Sequence, residues 1–562
     1  MAMLRSAPLL SIVLALSVAG ACGESAPEDL PPVVCDELVE VPDEALRALL
    51  IELLPAAPEP EEGGPEVTPV IRSEELAELR GLRGVDLEIS DLRGLECAHG
   101  LETLGLAGNS IADLTALSRL PVLREVELSD NPITDLGSLA GVDTLEKIVI
   151  EGTQVSDLGP LKFLSALRHL DATATGIDDL GPLAELRELE TLALGGNAIE
   201  DLRALAELDN LFALTLAGNR IQKVDALAGL HALEFLDLNG NAIESLAPIA
   251  SLEALRDLAA SDNALVNTAG IVDKPQLLEL DLEGNQLSDL SGLSALPSLV
   301  RLDVEDNRLT SLAGVEGLVG LRILHARGNQ ISDASPLVGL GALRRLDLRD
   351  NKGIADLVPL SGLENLDWLG IGGVPGVVDF APLSALALLR QIEASELTPS
   401  DLGVFADFAS LQVLNLSGSP AVTDATLAKI AGASGLRTLL INQTVITDLG
   451  GLLGLAGLRR LEADGTGVSS LAEISMFEEM TALSLEDTPL ASLAGVEEAP
   501  TLASIDVSGT ALNDLGPLVE LPNFRNGDTI DVRSTALDNG DCDAILELRA
   551  RGAIVTTDLT CE

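Results

Sequence analysis

Ten asparagines fall on one register of 22 residues: Asn109, Asn131, Asn197, Asn219, Asn241, Asn263, Asn285, Asn307, Asn329 and Asn351. Between Leu101 and Asn351 only two register points, Thr153 and Thr175, carry another residue. The unit around each is spelled by Leu101, Leu104, Leu106, Asn109, Ile111, Asp113, Leu114 and Leu117, that is L-x-x-L-x-L-x-x-N-x-I-x-D-L-x-x-L. A fixed period of this length predicts a solenoid, in which each unit buries its apolar face only against its neighbours.

The spacing within the unit predicts its local structure. Leucines alternating at period two turn one face of a short strand inward, and successive turns stack those strands into a parallel sheet. The chain then reverses inside the core, where N–H and C=O groups lose water. A buried Asn amide, with two donors and an acceptor, satisfies them, and a Thr hydroxyl does part of the same work. Asp113 is expected to act as the N-cap of a short outer helical turn. Pro160, Pro182, Pro248 and Pro336 follow in a first turn that tolerates proline. Each turn buries roughly five or six aliphatic side chains, worth about 1.5–3 kcal/mol apiece.

The register extends beyond the asparagines. Leu79, Leu82, Ile89, Asp91, Leu92 and Leu95 already follow it, with Leu87 in the Asn position. After Asn351 it slips: Val374 and Leu397 come at spacings of 23, Ser419 at 22 and Thr444 at 25. Thr466, Thr488 and Thr510 resume 22-residue steps, and Thr535 ends the series. Asp424 to Ala431 (DATLAKIA) reads as a true α-helical turn. The expected organisation is an Asn-ladder array over 79–351, irregular repeats over 352–435 and a Thr-ladder array over 436–537. That makes 21 turns and, at about 4.8 Å per strand, a sheet near 100 Å long.

The flanks carry different signals. Arg5 and the apolar run Ala7–Val18 make residues 1–21 a secretory signal peptide. Its end, Val18-Ala19-Gly20-Ala21-Cys22, resembles a bacterial lipobox, which makes Cys22 the lipid-modified first residue of the exported chain. The other reading is ordinary cleavage after Ala19-Gly20-Ala21, with Cys22 a free thiol. Gly23 rather than Asp follows Cys22, and by resemblance to Gram-negative lipoproteins this implies the outer membrane or cell surface. Residues 22–34 would be lipid anchor and tether, 35–78 an N-terminal cap and 538–562 a C-terminal cap. In the first cap, Leu46, Leu49, Leu50, Leu53 and Leu54 stand at helical spacing, and Glu74–Leu82 is expected to be helical. Four further cysteines, Cys35, Cys97, Cys542 and Cys561, lie two at each end of the array. An oxidising compartment favours pairing, and Cys35–Cys97 with Cys542–Cys561 keeps each bridge within its own cap. A metal site is the rival reading, without C-x-x-C spacing or a nearby His to support it.

The 22-residue unit resembles the internalin class of bacterial leucine-rich repeats over residues 79–537. The segment VPDEALRALLIELL resembles the helical cap before such arrays, and Cys542 through Arg549 to Cys561 resembles the closing segment of secreted members. The resemblance implies an α/β solenoid. This is a right-handed leucine-rich-repeat superhelix with a parallel β-sheet on its concave face and short 3-10 or α turns on its convex face. It also implies protein binding through the concave face. This chain shows no wall-sorting tail and no immunoglobulin-like domain, so the host-receptor role of some internalins does not carry over.

Charge and motifs narrow the function. A net charge of −55 repels phosphate backbones and anionic lipid, which argues against nucleic acid as a partner and leaves membrane contact to the lipid anchor. No phosphate-binding loop, H-E-x-x-H or EF-hand spelling is present, and His99, His169, His231 and His325 fall in different turns. No enzyme and no cofactor is expected. The candidate partner-binding residues are Phe235, Arg301, His325, Arg327, Arg345, Arg349 and Trp368, all beside strand leucines and pointing to the concave side. Trp368, the only Trp, has partial burial as its second reading. The arginines have charge balance against Asp303, Glu305, Asp347 and Asp350 as theirs. Asp281, Glu283, Asp303 and Glu305 form a two-by-two carboxylate grid that oxygen-coordinated calcium would suit, although Arg301 opposes it. The expectation is a lipid-anchored envelope scaffold for a protein partner; the alternative is a structural or glycan-contacting surface protein.

Overall fold

The computed structural model describes residues 35–54, 70–521 and 523–561. The stretches expected to be signal peptide, lipidated Cys22 and tether lie outside them, as does the acidic stretch 55–69. The described chain forms one 22-stranded sheet. Every strand has three residues and pairs in parallel with its sequence neighbour, from Gly81–Arg83 to Ile554–Thr556. Twenty-one strands come from the repeats, and the last is added by the C-terminal cap.

The middle residue of each triplet points inward. Leu280, Leu302, Leu324 and Leu346 pair in register and are at most 1% exposed. The residues on either side face the concave solvent. Below the strands one continuous aliphatic core runs from Val41 to Val555.

The asparagines line up beneath adjacent strands, buried or half-buried. Asn307 is representative. Its Nδ2 donates to Leu282 O (2.9 Å), Val304 O (3.3 Å) and Glu305 O (2.9 Å), and its Oδ1 accepts from Leu287 N (2.9 Å). Two of those partners, Leu282 and Leu287, belong to the preceding turn.

The convex layer is mostly short 3-10 turns such as Thr115–Leu117 and Gly137–Leu139. The aspartates before them are not N-caps. Asp113 Oδ1 accepts from Thr115 N at 2.8 Å and Asp135 Oδ1 from Gly137 N at 2.7 Å, so each closes a two-residue Asx-type turn one position upstream of the cap. The stretch over 352–435 leaves the sheet uninterrupted, since Trp368 pairs with Arg345 and Gln391, and Gln391 with Val413. The altered lengths are absorbed away from the sheet, by an α-turn Asp424–Leu427 capped by Thr423 and by the buried rings of Phe380, Phe405 and Phe408, the first tilted against the second and the second stacked on the third.

The caps close the open ends. Helix Glu44–Leu53 starts at Asp43, whose Oδ1 accepts from Leu46 N at 2.9 Å. Leu46 and Leu50 are buried, whereas Leu53 is 49% exposed and lies off the apolar stripe. The second helix is shorter than its spacing suggests. It spans Ser73–Ala77, and Leu82 already belongs to the first strand. Disulfides join Cys35 to Cys97 and Cys542 to Cys561.

Candidate functional site

In-register stacking places one side chain from each strand beside its neighbours about 4.8 Å away, so a row of concave residues reads as a surface. Arg301, Ile323, Arg345, Trp368 and Gln391 form one such row. Asp281, Asp303, His325, Asp347, Gly370 and Glu393 form the next.

Six of the seven candidate residues come together there. Arg301, His325, Arg327, Arg345, Arg349 and Trp368 occupy neighbouring strands or the residues just after them. Phe235 does not join them. It pairs with Ala213 and Asp257, six strand spacings or roughly 29 Å from Trp368.

Trp368 is half-buried. Gly370 gives its ring room to lie back on the sheet, since a Cβ there would come within 2.6 Å of the indole. The guanidinium of Arg345 stands 5.5 Å from the ring centroid and that of Arg349 stands 5.6 Å away. Cation–π contact of this kind orients both the ring and the arginines.

Charge balance explains three of the arginines. Arg349 forks onto Asp347, with Nε 2.9 Å from Oδ1. Arg327 Nε donates to Asp350 Oδ2 at 2.8 Å. Arg301 lies 3.5 Å from Asp303, which also accepts a 2.9 Å bond from His325 Nδ1. Two of these pairs lie within one strand rather than across strands, a choice of rotamer that the sequence cannot fix. Arg345 has no such partner among the described residues.

The carboxylates behind them are crowded. Burial, with Asp303 and Asp347 nearby, pushes Glu305 up to about 7. Burial and then Glu279 push Asp257 up to about 6, and burial raises Asp281 and Asp237 as well. The proposed calcium quartet resolves into two triads that share Asp303: Asp281, Glu283 and Asp303, and Asp303, Glu305 and His325, each able to bring one ligand atom per residue within 4.8 Å. Asp303, only 6% exposed, is already engaged by Arg301 and His325.

Two features escape the sequence reading. The first is Lys274, fully buried at a register point that carries Leu252 and Leu296 in the adjoining turns. Its Nζ donates to Ile249 O, Ala250 O and Leu252 O at 2.9, 3.2 and 3.1 Å, tying off the end of the previous turn's 3-10 segment.

The second is a file of charges one residue before each strand. Arg80, Glu102, Arg124, Glu146, Arg168 and Glu190 are linked in succession by backbone bonds from each N–H to the preceding carbonyl. Arg80 pairs with Glu102 at 3.6 Å, Arg124 with Glu146, and Arg168 with Glu190 at 2.5 Å. Glu234 and Arg256 repeat the pairing at 3.3 Å. The alternation is visible in the sequence at 22-residue spacing, once the position before the strand is followed.

The comparisons agree with this architecture. A two-copy leucine-rich repeat family model matches residues 209–251 and 275–317, and a single-repeat model matches 119–140. The plant peptide hormone receptor RGFR1, solved in complex with RGF2, is 16% identical with a TM-score of 0.58, over 87% of this chain and 96% of that one. A TDR receptor is 18% identical with a TM-score of 0.51, over 83% and 91%. An internalin (inlF) from Listeria monocytogenes is 24% identical with a TM-score of 0.42, over 75% and 95%. No curated protein matches the chain. The two receptors show the fold: a leucine-rich-repeat solenoid.

Proposed function

We propose that this leucine-rich-repeat chain is a protein-interaction scaffold of a Gram-negative cell envelope, exported and held at the outer membrane or cell surface by a lipid on Cys22. The observation that carries the reading is the only Trp, laid on the concave face of a continuous sheet and flanked by two stacked arginines. Aromatic and Arg side chains on a rigid support are the usual anchors of protein interfaces. The lipobox-like end of the leader supports the anchor.

A photo-crosslinking residue placed in the native envelope tests the interface. At Ile323 or Gln391, both concave, it should trap a protein. At Val338 or Val358, exposed at the convex turns, it should trap none. Equal capture from both faces would remove the concave surface as the binding site. Cys22→Ser should release the chain from membranes, and a variant that still sediments with them would rule out the anchor.

A further inference from the structure

The file before the strands changes character partway along. Up to Glu190 its signs alternate and its members neutralise one another. Between Arg322 and Arg390 the sequence of the file is Arg322, Arg344, Asp367, Arg390, still joined N–H to carbonyl from turn to turn. Arg322 and Arg344 are thus like charges in adjacent turns. Both are exposed, as are Arg345 and Arg390. Among the described residues no carboxylate lies within ion-pair distance of any of the four, although Arg301, Arg327 and Arg349 close by are all paired.

We infer that Arg322, Arg344, Arg345 and Arg390, grouped around Trp368, receive a carboxylate-rich segment of the partner protein. The inference rests on the scaffold reading and gives the partner its chemistry. Like charges facing each other across neighbouring strands destabilise, and the earlier part of the file avoids this by alternation. An incoming anion supplies what Glu102 or Glu146 supplies there. Arginine forks bind carboxylates in bidentate fashion, and Trp368 adds a flat apolar ledge with Arg345 already oriented over it.

The nearby acids do not cancel the patch. Asp347 is held by Arg349, Asp350 by Arg327, and Glu393 accepts from Gln391 and Asn415, while Asp367 stands in the file itself. The remaining negative charge of the chain acts weakly beyond about 8 Å at physiological ionic strength. From Arg322 to Arg390 the file crosses three strand spacings, about 14 Å, the reach of about four extended residues. One Trp on the face gives a row of sugar rings little to stack on, which favours a peptide over an acidic polysaccharide.

Trp368 is also the probe, because the chain has one Trp and no Tyr. The full exported chain is titrated with a glutamate-rich peptide, a lysine-rich peptide of equal length and polygalacturonate, reading Trp emission. The expected result is a saturable change with the glutamate peptide only, weakened by added salt. The double variant Arg344→Glu, Arg345→Gln should weaken binding at least about tenfold. Both positions are exposed, so the variant is expected to fold although Glu at 344 would neighbour Asp367 as well as Arg322, and unchanged circular dichroism checks that. Arg124→Gln, in the alternating stretch, should leave binding unchanged. A response to the lysine peptide, a response to polygalacturonate alone, or glutamate-peptide binding that ignores the double variant would each overturn the inference. If concave crosslinks to a protein persist while the glutamate peptide fails to bind, the scaffold reading stands and this inference falls.

Discussion

The Asn-ladder and Thr-ladder halves share one sheet and one kind of core but are held from turn to turn by different means. Asn307 reaches four backbone groups, two of them in the turn before. Thr488 makes one bond, from Oγ1 to Leu485 O at 2.8 Å, inside its own turn. Thr466 and Thr510 repeat that pattern with Ala463 O and Val507 O. Strand pairing and leucine packing continue regardless, so the amide column adds cohesion to a stack that holds without it. In a quasi-one-dimensional protein such differences stay local, and the two halves should open at different free energies.

The largest test of that contrast is Asn307→Ala. It strips a partner from three carbonyls and one N–H in the core and should cost about 3–4 kcal/mol. Hydrogen exchange should show the loss in strands Glu279–Asp281 and Arg301–Asp303 while the Thr half keeps its protection. Lys274→Met comes next, at about 2–3 kcal/mol, because three carbonyls lose their donor while a buried charge is removed. Burial holds that ammonium down to about 8, so it is largely charged at neutral pH. The same exchange experiment should place this opening around residues 247–278. Thr488→Ala should cost only about 1 kcal/mol, the net worth of one bond. A Thr488 loss equal to that of Asn307 would erase the distinction between the halves.

The smallest effect is electrostatic and is strongest in the Asn half. Glu305 has its pKa raised from 4.5 to about 7, so the folded state binds more protons than the unfolded one across that interval. Its stabilising contribution is fully present below 4.5 and is lost as pH rises through 7. Glu305→Gln should therefore raise the melting temperature slightly above neutral pH and leave it unchanged in acid. Glu305 is part exposed, so the gain stays under about 1 kcal/mol. Melting curves across that range check the slope.

The repeat architecture is legible because its physics is periodic: Leu, Asn and Asp each return at the step that the stacking imposes. The cap bridges are legible because the four remaining cysteines lie two at each end. What escapes is set by side-chain rotamers or by single departures from the pattern. Placing Arg349 and Asp347 on the concave side does not reveal that they fork together. Phe235 shares that side yet stands six turns from Trp368, because a face 22 strands long is not one site. Lys274 does break the Leu register visibly. Its meaning needs the three carbonyls of the neighbouring turn, which no local spacing predicts. Arg322, Arg344 and Arg390 carry their signal in the residue before the strand, outside the L-x-L motif that defines the unit.

The bridged caps have a consequence for how these molecules meet one another. A parallel ladder presents the same unpaired groups at its first and last rung, so a bare start and a bare finish are complementary, and joining them head to tail never closes into a ring or a pair. The segments pinned by Cys35–Cys97 and Cys542–Cys561 act as stoppers against that self-templating. With each cap bonded to its own end of the array, every molecule keeps a defined start and finish and stands as a separate rod.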